Sequence, residues 1–460
     1  MLEANAPLAD SAADSPPDGG LRAWMCVAGG WLACFSTFGY SSSFGVYQDL
    51  YTLAGMSSAS NISWIGSLQL SLMFMLGLFS GRILDEGYFH HICIGGSVLY
   101  VFSIFMLSLA DTTQYYQVLL SQGIGMGVGG GLVLVPAVSV QAQHWKKRRS
   151  LAMGITFTGT CSSCGGIIFP IMLNRLLTGP TGFAWGTRAA AFLILGLLTA
   201  ANCLMSTRLS NAKTRANRPK LELREKLTDV PFLIAIAGIF LVFWGIFLPY
   251  FYLQLFVTLH GASSSFAFYT LTILNGASTF GRTLLNSLGD VYGALNMLCA
   301  TSLITGALIF AMFGAAGTAG AVVFAIVYGF FSGGWLSLLP PSLALMSKDV
   351  KELGVRMGVA YFITSYAILT GTPIAGALLE GNEWKRPITF SGVSTFPCMI
   401  CRHVYIVPDG VGRCPCRCSV PSCLEAHLHE EERDTKDLMH RYGLLNEEST
   451  LVRAANIRMT

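Results

Sequence analysis

Charge is what this sequence has least of. Lys, Arg, Asp and Glu make up 12% of the 460 residues, about half the share usual in soluble domains. So thin a polar coat argues against a water-soluble enzyme. The net charge is only +4, and there is no basic tract with interleaved aromatics, so nucleic acid is not an expected partner. The start of the chain carries Glu3, Asp10, Asp14 and Asp18. It lacks the positive stretch and short apolar run of a cleaved signal peptide, and residues 1–22 read as a disordered tail. Carboxylates are missing from the middle of the apolar segments: Asp49, Asp85, Glu86, Asp111, Asp229, Asp290 and Glu352 all fall near their ends or between them. No nucleophile–His–acid set and no metal motif lies within them either, so no enzyme activity, cofactor or metal is expected.

What is present is apolar length. Hydrophobic residues make up 53%, with 50 glycines and 29 phenylalanines, and the mean hydropathy is +0.56. A bilayer-crossing helix needs roughly 20 mostly apolar residues. Such runs lie near 24–47, 64–84, 91–110, 115–140, 150–173 and 188–207, then near 231–258, 266–288, 293–314, 318–346 and 355–379. Six runs, a basic linker at 208–229 and five more runs imply a duplicated helical unit. With the N-terminus placed in the cytoplasm, the inner loops and helix ends collect Arg82, Lys146, Lys147, Arg148, Arg149, Arg208, Lys213, Arg282, Lys348, Lys351 and Arg356. The outer ones, up to the eleventh run, hold only Arg175 and Arg188, as the positive-inside rule demands.

Four segments carry a resemblance. Asp18-Gly19-Gly20 with Trp24 opens the first run, and Trp145 to Gly154, including Arg148, Arg149, Leu151 and Ala152, opens the fifth. The eighth holds Asn275 to Arg282 followed by Asp290, and the tenth holds Gly333-Gly334 and Pro340-Pro341. Together they resemble the monocarboxylate-transporter-like members of the major facilitator superfamily, in its fungal branch, over about residues 18–380. The resemblance implies an all-α membrane protein of two pseudo-symmetric helical bundles, 23–207 and 230–380, in which the apolar runs mark about eleven clear membrane helices. It also implies a gate motif at Gly81 and Asp85, matched by Gly281 and Asp290. Asp85 is expected to accept hydrogen bonds from a neighbouring helix N-terminus.

Arg282 is the most informative residue. A charge at membrane depth costs roughly 2.5–3.5 kcal/mol on insertion scales, and such residues usually face a cavity. In the resemblance the corresponding arginine engages the substrate carboxylate, beside an aspartate one turn earlier. Here that position is Ser278, and Ser42 stands where the animal members have lysine. Asn275, Ser278, Tyr40, Ser42, Tyr250, Tyr361 and Ser365 complete the candidate substrate lining, each equally suited to a helix–helix hydrogen bond. Gly125-Met126-Gly127-Val128-Gly129-Gly130 matches a dinucleotide pattern, but it follows no strand and reads as close helix packing.

After residue 380 the pattern fails. The twelfth helix is missing or degenerate, and 381–460 forms an atypical tail with Cys398, Cys401, His403, Cys414, Cys416, Cys418, Cys423, His427 and His429. A zinc-binding tail, a family variant and an altered reading frame all fit, the last best. The whole reads as a secondary transporter of a small organic anion or polar metabolite, with a membrane sensor or an exporter of a fungal secondary metabolite as alternatives. The lipid bilayer and a small-molecule substrate are the expected partners. The transport unit is expected to be monomeric and to sit in the plasma membrane.

Overall fold

The computed structural model describes residues 18–57, 59–160, 163–208, 229–347, 352–379 and 383–396. These are helical throughout. The first half of the chain contains α1 (Leu21–Cys34), α2 (Phe44–Leu53), α3 (Ala59–Met75), α4 (Gly77–Asp85), α5 (Phe89–Leu107), α6 (Tyr115–Val118), α7 (Met126–Ser139), α8 (Arg149–Phe157), α9 (Cys164–Thr178) and α10 (Gly182–Leu204). The second half contains α11 (Val230–Ile246), α12 (Leu248–Leu259), α13 (Ser264–Tyr292), α14 (Ala294–Ala311), α15 (Thr318–Leu345), α16 (Leu353–Leu378) and α17 (Lys385–Thr395). Residues 209–228, Cys161, Lys348, Lys351 and the cysteine- and histidine-bearing stretch 398–429 lie outside the described residues.

Among the described residues, eight helical rods are long and apolar enough to cross a membrane. Their outer faces carry large apolar side chains such as Phe102, Phe192 and Val323, each more than half exposed. A soluble protein rarely shows so much apolar surface; a chain surrounded by lipid tails gains by it. Buried residues fall into clusters, of which three are confined to the first half and one to the second. The largest joins both halves, with Cys34, Phe38, Phe74 and Phe157 packed alongside Phe243, Trp335 and Tyr361.

Several rods depart from the expected continuous helices, two of them beside Arg282. The fifth run, read as one helix over 150–173, is divided into α8 and α9 by a turn around Thr158-Gly159-Thr160. Hydroxyl groups compete with the helical ladder there: Thr158 Oγ1 donates to Ile155 C=O at 2.7 Å and Thr160 Oγ1 to Phe157 C=O at 2.8 Å. Opposite, the first run widens into a π-helical stretch, Phe35–Gly39, a form that often marks functional positions. Gly39 lies directly against Gly159 and Gly165, where any Cβ would collide with main chain. The final helix α17 has 11 residues, about 16 Å of rise, roughly half of a bilayer core. It packs on α11 and α14.

Candidate functional site

The halves are clasped together at one end by two carboxylates. Asp85, in the last turn of α4, is buried and accepts the backbone N–H groups of Gly354 at 3.1 Å and Val355 at 2.7 Å. These are the first free donors of α16, where the helix dipole favours an anion. Asp290, in the last turn of α13, accepts Ser150 N–H at 2.8 Å and Leu151 N–H at 3.0 Å, at the start of α8. Each acid belongs to one half and each receiving helix to the other. Gly87, at φ 89, turns the chain out of α4 in the left-handed conformation. Gly81 and Gly354 touch main chain to main chain across the seam, and Gly154 does the same beside Arg282 and Asn286. Gly281, expected in the gate, instead packs on the Phe330 carbonyl within the second half. Gly154 occupies the place at the seam that Gly281 was expected to fill.

The family-signature residues cluster at the same end. Asp18 accepts from the Lys146 and Lys147 N–H groups, the latter at 2.6 Å, and its own N–H donates to His144 C=O at 3.2 Å. The Trp24 and Trp145 rings meet edge to face with centres 5.0 Å apart. Asp18 has φ 53 and Gly20 φ 92, so left-handed backbone brings the carboxylate to its donors. The buried His144 contacts Ser206 C=O through Nε2 at 2.8 Å, and burial holds its pKa below the ordinary histidine value. Arg356, read from sequence as a helix-end charge, is buried. It pairs with Asp229 at 3.1 Å and Glu352 at 3.7 Å, with its guanidinium 5.1 Å from the Phe232 ring centre.

Arg282 lies eight residues from Asp290 along α13, about 12 Å from the clasp, and is 1% exposed. Its Nε donates to Ser278 Oγ at 3.2 Å and its Nη1 to Phe157 C=O at 3.0 Å, where the break in the fifth run begins. Asn275 Nδ2 donates to Gly166 C=O at 3.3 Å, and Ser163 and Ser278 hydroxyls lie 3.4 Å apart. Thus Asn275, Ser278 and Arg282 form one polar stripe of α13 facing the broken rod, as their spacing requires. Ser42 joins it from the other side, its hydroxyl 3.5 Å from Gly165 C=O.

The remaining candidates divide. Tyr40 sits inside the first half, its hydroxyl 2.7 Å from that of Tyr47 and its ring against Phe169, away from Arg282's partners. Tyr250 bonds Ser332 at 3.0 Å within the second half. Ser365 is at the seam, its C=O accepting Ser71 Oγ at 3.3 Å. Tyr361 also faces the seam, with its ring 5.2 Å from that of Phe74. Its hydroxyl, Trp335 Nε1 and Asn275 Oδ1 are buried without a hydrogen-bond partner among the described residues. Each such group costs about 1–3 kcal/mol. Phe74, Phe243 and Trp335 escaped sequence reasoning, because an aromatic residue on an apolar helix looks the same whether it faces lipid or the seam. Among the described residues no group of three or more His, Cys, Asp or Glu could hold a metal ion. In the glycine-rich stretch, a Cβ on Gly127 would press on α3 and one on Gly129 on the Tyr100 main chain, as close packing requires.

Apolar rods in two halves that meet along a seam, clasped at one end and holding a buried arginine between them, are the architecture of a polytopic membrane transporter. The chain belongs to the Major Facilitator Superfamily, whose sequence pattern matches residues 26–372, and it is a transporter, not an enzyme. Curated relatives include the aspyridones efflux protein apdF of Emericella nidulans, 41% identical over 80% of this chain and 74% of its own length. The agnestins efflux protein AgnL12 of Paecilomyces divaricatus is 38% identical over 81% and 84%. Among solved structures, the transporter FucP in its outward conformation matches with a TM-score of 0.61 at 16% identity, covering 81% of this chain and 98% of its own. The human organic anion transporter MFSD10 matches at 0.62 and 14%, covering 84% and 100%. At such identities these two likenesses concern the fold alone.

Proposed function

We propose that this chain exports a small, acidic organic metabolite by alternating access, with Arg282 meeting the substrate's anionic group. The observation that carries this reading is the position of Arg282: buried at mid-depth and on the seam, with the oxygens of Ser278 and Phe157 among its hydrogen-bond partners. A guanidinium binds a carboxylate more strongly than it binds neutral oxygens, so an arriving anion can take the place of these two. Asn275, Ser278, Ser42, Tyr361 and Ser365 complete the lining in this reading. Relatives whose names declare efflux of aspyridones, agnestins and fujikurins support export of a secondary metabolite. The four signature segments support the monocarboxylate-transporter-like branch.

In the same reading, the rods α1–α2, α8–α9 and α13 join the eight apolar ones to give eleven crossings. They form bundles over 23–207 and 230–380 that rock about the seam, in a monomer of the plasma membrane with its N-terminus and both clasps in the cytoplasm.

Export of a carboxylate panel from loaded vesicles carrying the purified chain tests the reading. Loss of one partner from a buried charge pair costs about 2–5 kcal/mol. Arg282→Ala is therefore expected to lower apparent affinity at least about thirtyfold, with Arg282→Lys recovering part, since lysine keeps the charge but not the fork. Equal flux in native and Arg282→Ala proteins would overturn the assignment.

A further inference from the structure

Four aromatic rings span the seam at the depth of Arg282. Phe74 of the first half lies 5.2 Å from Tyr361 and 6.2 Å from Phe243, and Phe243 lies 5.4 Å from Trp335. Tyr361 is seven residues beyond Gly354 along α16, and Phe74 eleven before Asp85; these steps put them about 10 Å and about 16 Å from the clasped end. All three of these ring pairs meet face to edge, at 66° to 88°. A face-to-edge set presents ring faces that a flat guest can stack on.

The two outer rings also carry the orphan donors. Tyr361 is 1% exposed and Trp335 0%, yet neither the tyrosine hydroxyl nor the indole N–H has a partner among the described residues. A buried donor without an acceptor destabilises the chain that carries it, and phenylalanine at either position would remove the defect while keeping the ring. Both donors flank a ring pair that crosses the seam. Parting of the halves would uncover them together, each waiting for an oxygen.

We propose that Phe74, Phe243, Trp335 and Tyr361 form an aryl subsite of the transport site, which takes a planar conjugated ligand bearing carbonyl or phenolic oxygens at its edge. Tyr361 and Trp335 donate to those oxygens, the rings stack on the conjugated face, and Arg282 holds the acidic group. The proposal rests on Arg282 as the anion contact, and it separates this chain's ligands from aliphatic acids of equal charge.

Binding of two anions to the purified full chain in lipid nanodiscs tests it: salicylate, flat with a phenolic oxygen, and cyclohexanecarboxylate, of equal charge but with neither. The native chain is expected to bind salicylate at least about tenfold tighter, a margin within reach of stacking plus directed hydrogen bonds. Tyr361→Phe and Trp335→Phe should each shrink that preference by about threefold to tenfold, while the melting temperature of the unliganded protein stays level or rises. Phe74→Leu should shrink it without touching either donor. Arg282→Ala should weaken both ligands alike. A native chain without preference for salicylate overturns the subsite, as does a preference that survives both donor substitutions. A lower unliganded melting temperature in Tyr361→Phe also overturns it, since the hydroxyl would then have a structural partner. Loss of both ligands in Arg282→Ala alongside any of these results leaves the anion contact standing without the aryl subsite. Unchanged affinity for both ligands in Arg282→Ala would overturn the anion contact alone.

Discussion

Asp85 shows how much one side chain can hold. Two N–H groups at the head of α16 end on its carboxylate, and no other residue of α4 reaches them. With alanine there, both donors lose their acceptor in a buried setting and the helix loses its counter-charge, a combined cost of about 1–3 kcal/mol. The closed arrangement alone carries that cost. Asp85→Ala is expected to raise maleimide labelling of a cysteine placed at Ser139, which faces Met357 across the seam, by about tenfold. Unchanged labelling would mean that the clasp does not hold the halves closed. The acceptor role of Asp85 was expected from the resemblance, whose gate motif keeps Gly81 and Asp85. Arg356 was not legible: a basic residue near a helix start reads as a solvated end until Asp229 and Glu352 are seen beside it.

At the scale of elements, α13 provides its own control. A Cβ on Gly281 would run into the Phe330 carbonyl of α15, whereas one on Gly276 would meet nothing within 4 Å. Gly281→Ala must push two rods apart, at about 1–3 kcal/mol or more. Gly276→Ala should be neutral or stabilise by up to about 1 kcal/mol through helix propensity. Thermal unfolding of the two variants in one detergent would check the contrast, and equal melting temperatures would show that the two rods are not in close contact. Most of the helices themselves were readable, because run length is set by bilayer thickness. The break between α8 and α9 was overlooked. Its signal was the pairing of Thr158-Gly159-Thr160 with Ser162-Ser163, hydroxyls and glycine gathered inside an apolar stretch.

For the molecule as a whole, the order of runs and the basic linker implied a duplicated helical unit, and the four signature segments carried the resemblance to the superfamily and with it the transport role. The sequence also marked Arg282, Asn275 and Ser278 as one stripe, since polar groups on an apolar helix stand out. It could not mark Phe74, Phe243 and Trp335, because which aromatic rings face the seam depends on how the halves meet. If those halves move as two bodies about a single seam, the clasps of Asp85 and Asp290 act on the same equilibrium. The shifts from Asp85→Ala and Asp290→Ala should then add in free energy within about 0.5 kcal/mol. In a labelling assay the double variant's effect would be the product of the single effects, while a double no greater than either single would point to local fraying.

Both clasps share an inheritance that is one-sided. The acceptor is a side chain, written by one codon, but the donors are main-chain amides, which nearly every amino acid supplies. Ser150, Leu151 and Val355 can therefore drift to many other residues without removing a donor. Gly354 cannot, because a Cβ there would crowd Gly81 and Asp85, and neither aspartate can be exchanged without loss. Natural variation at this end should accordingly collect on the receiving helices and avoid the two acids and that one glycine.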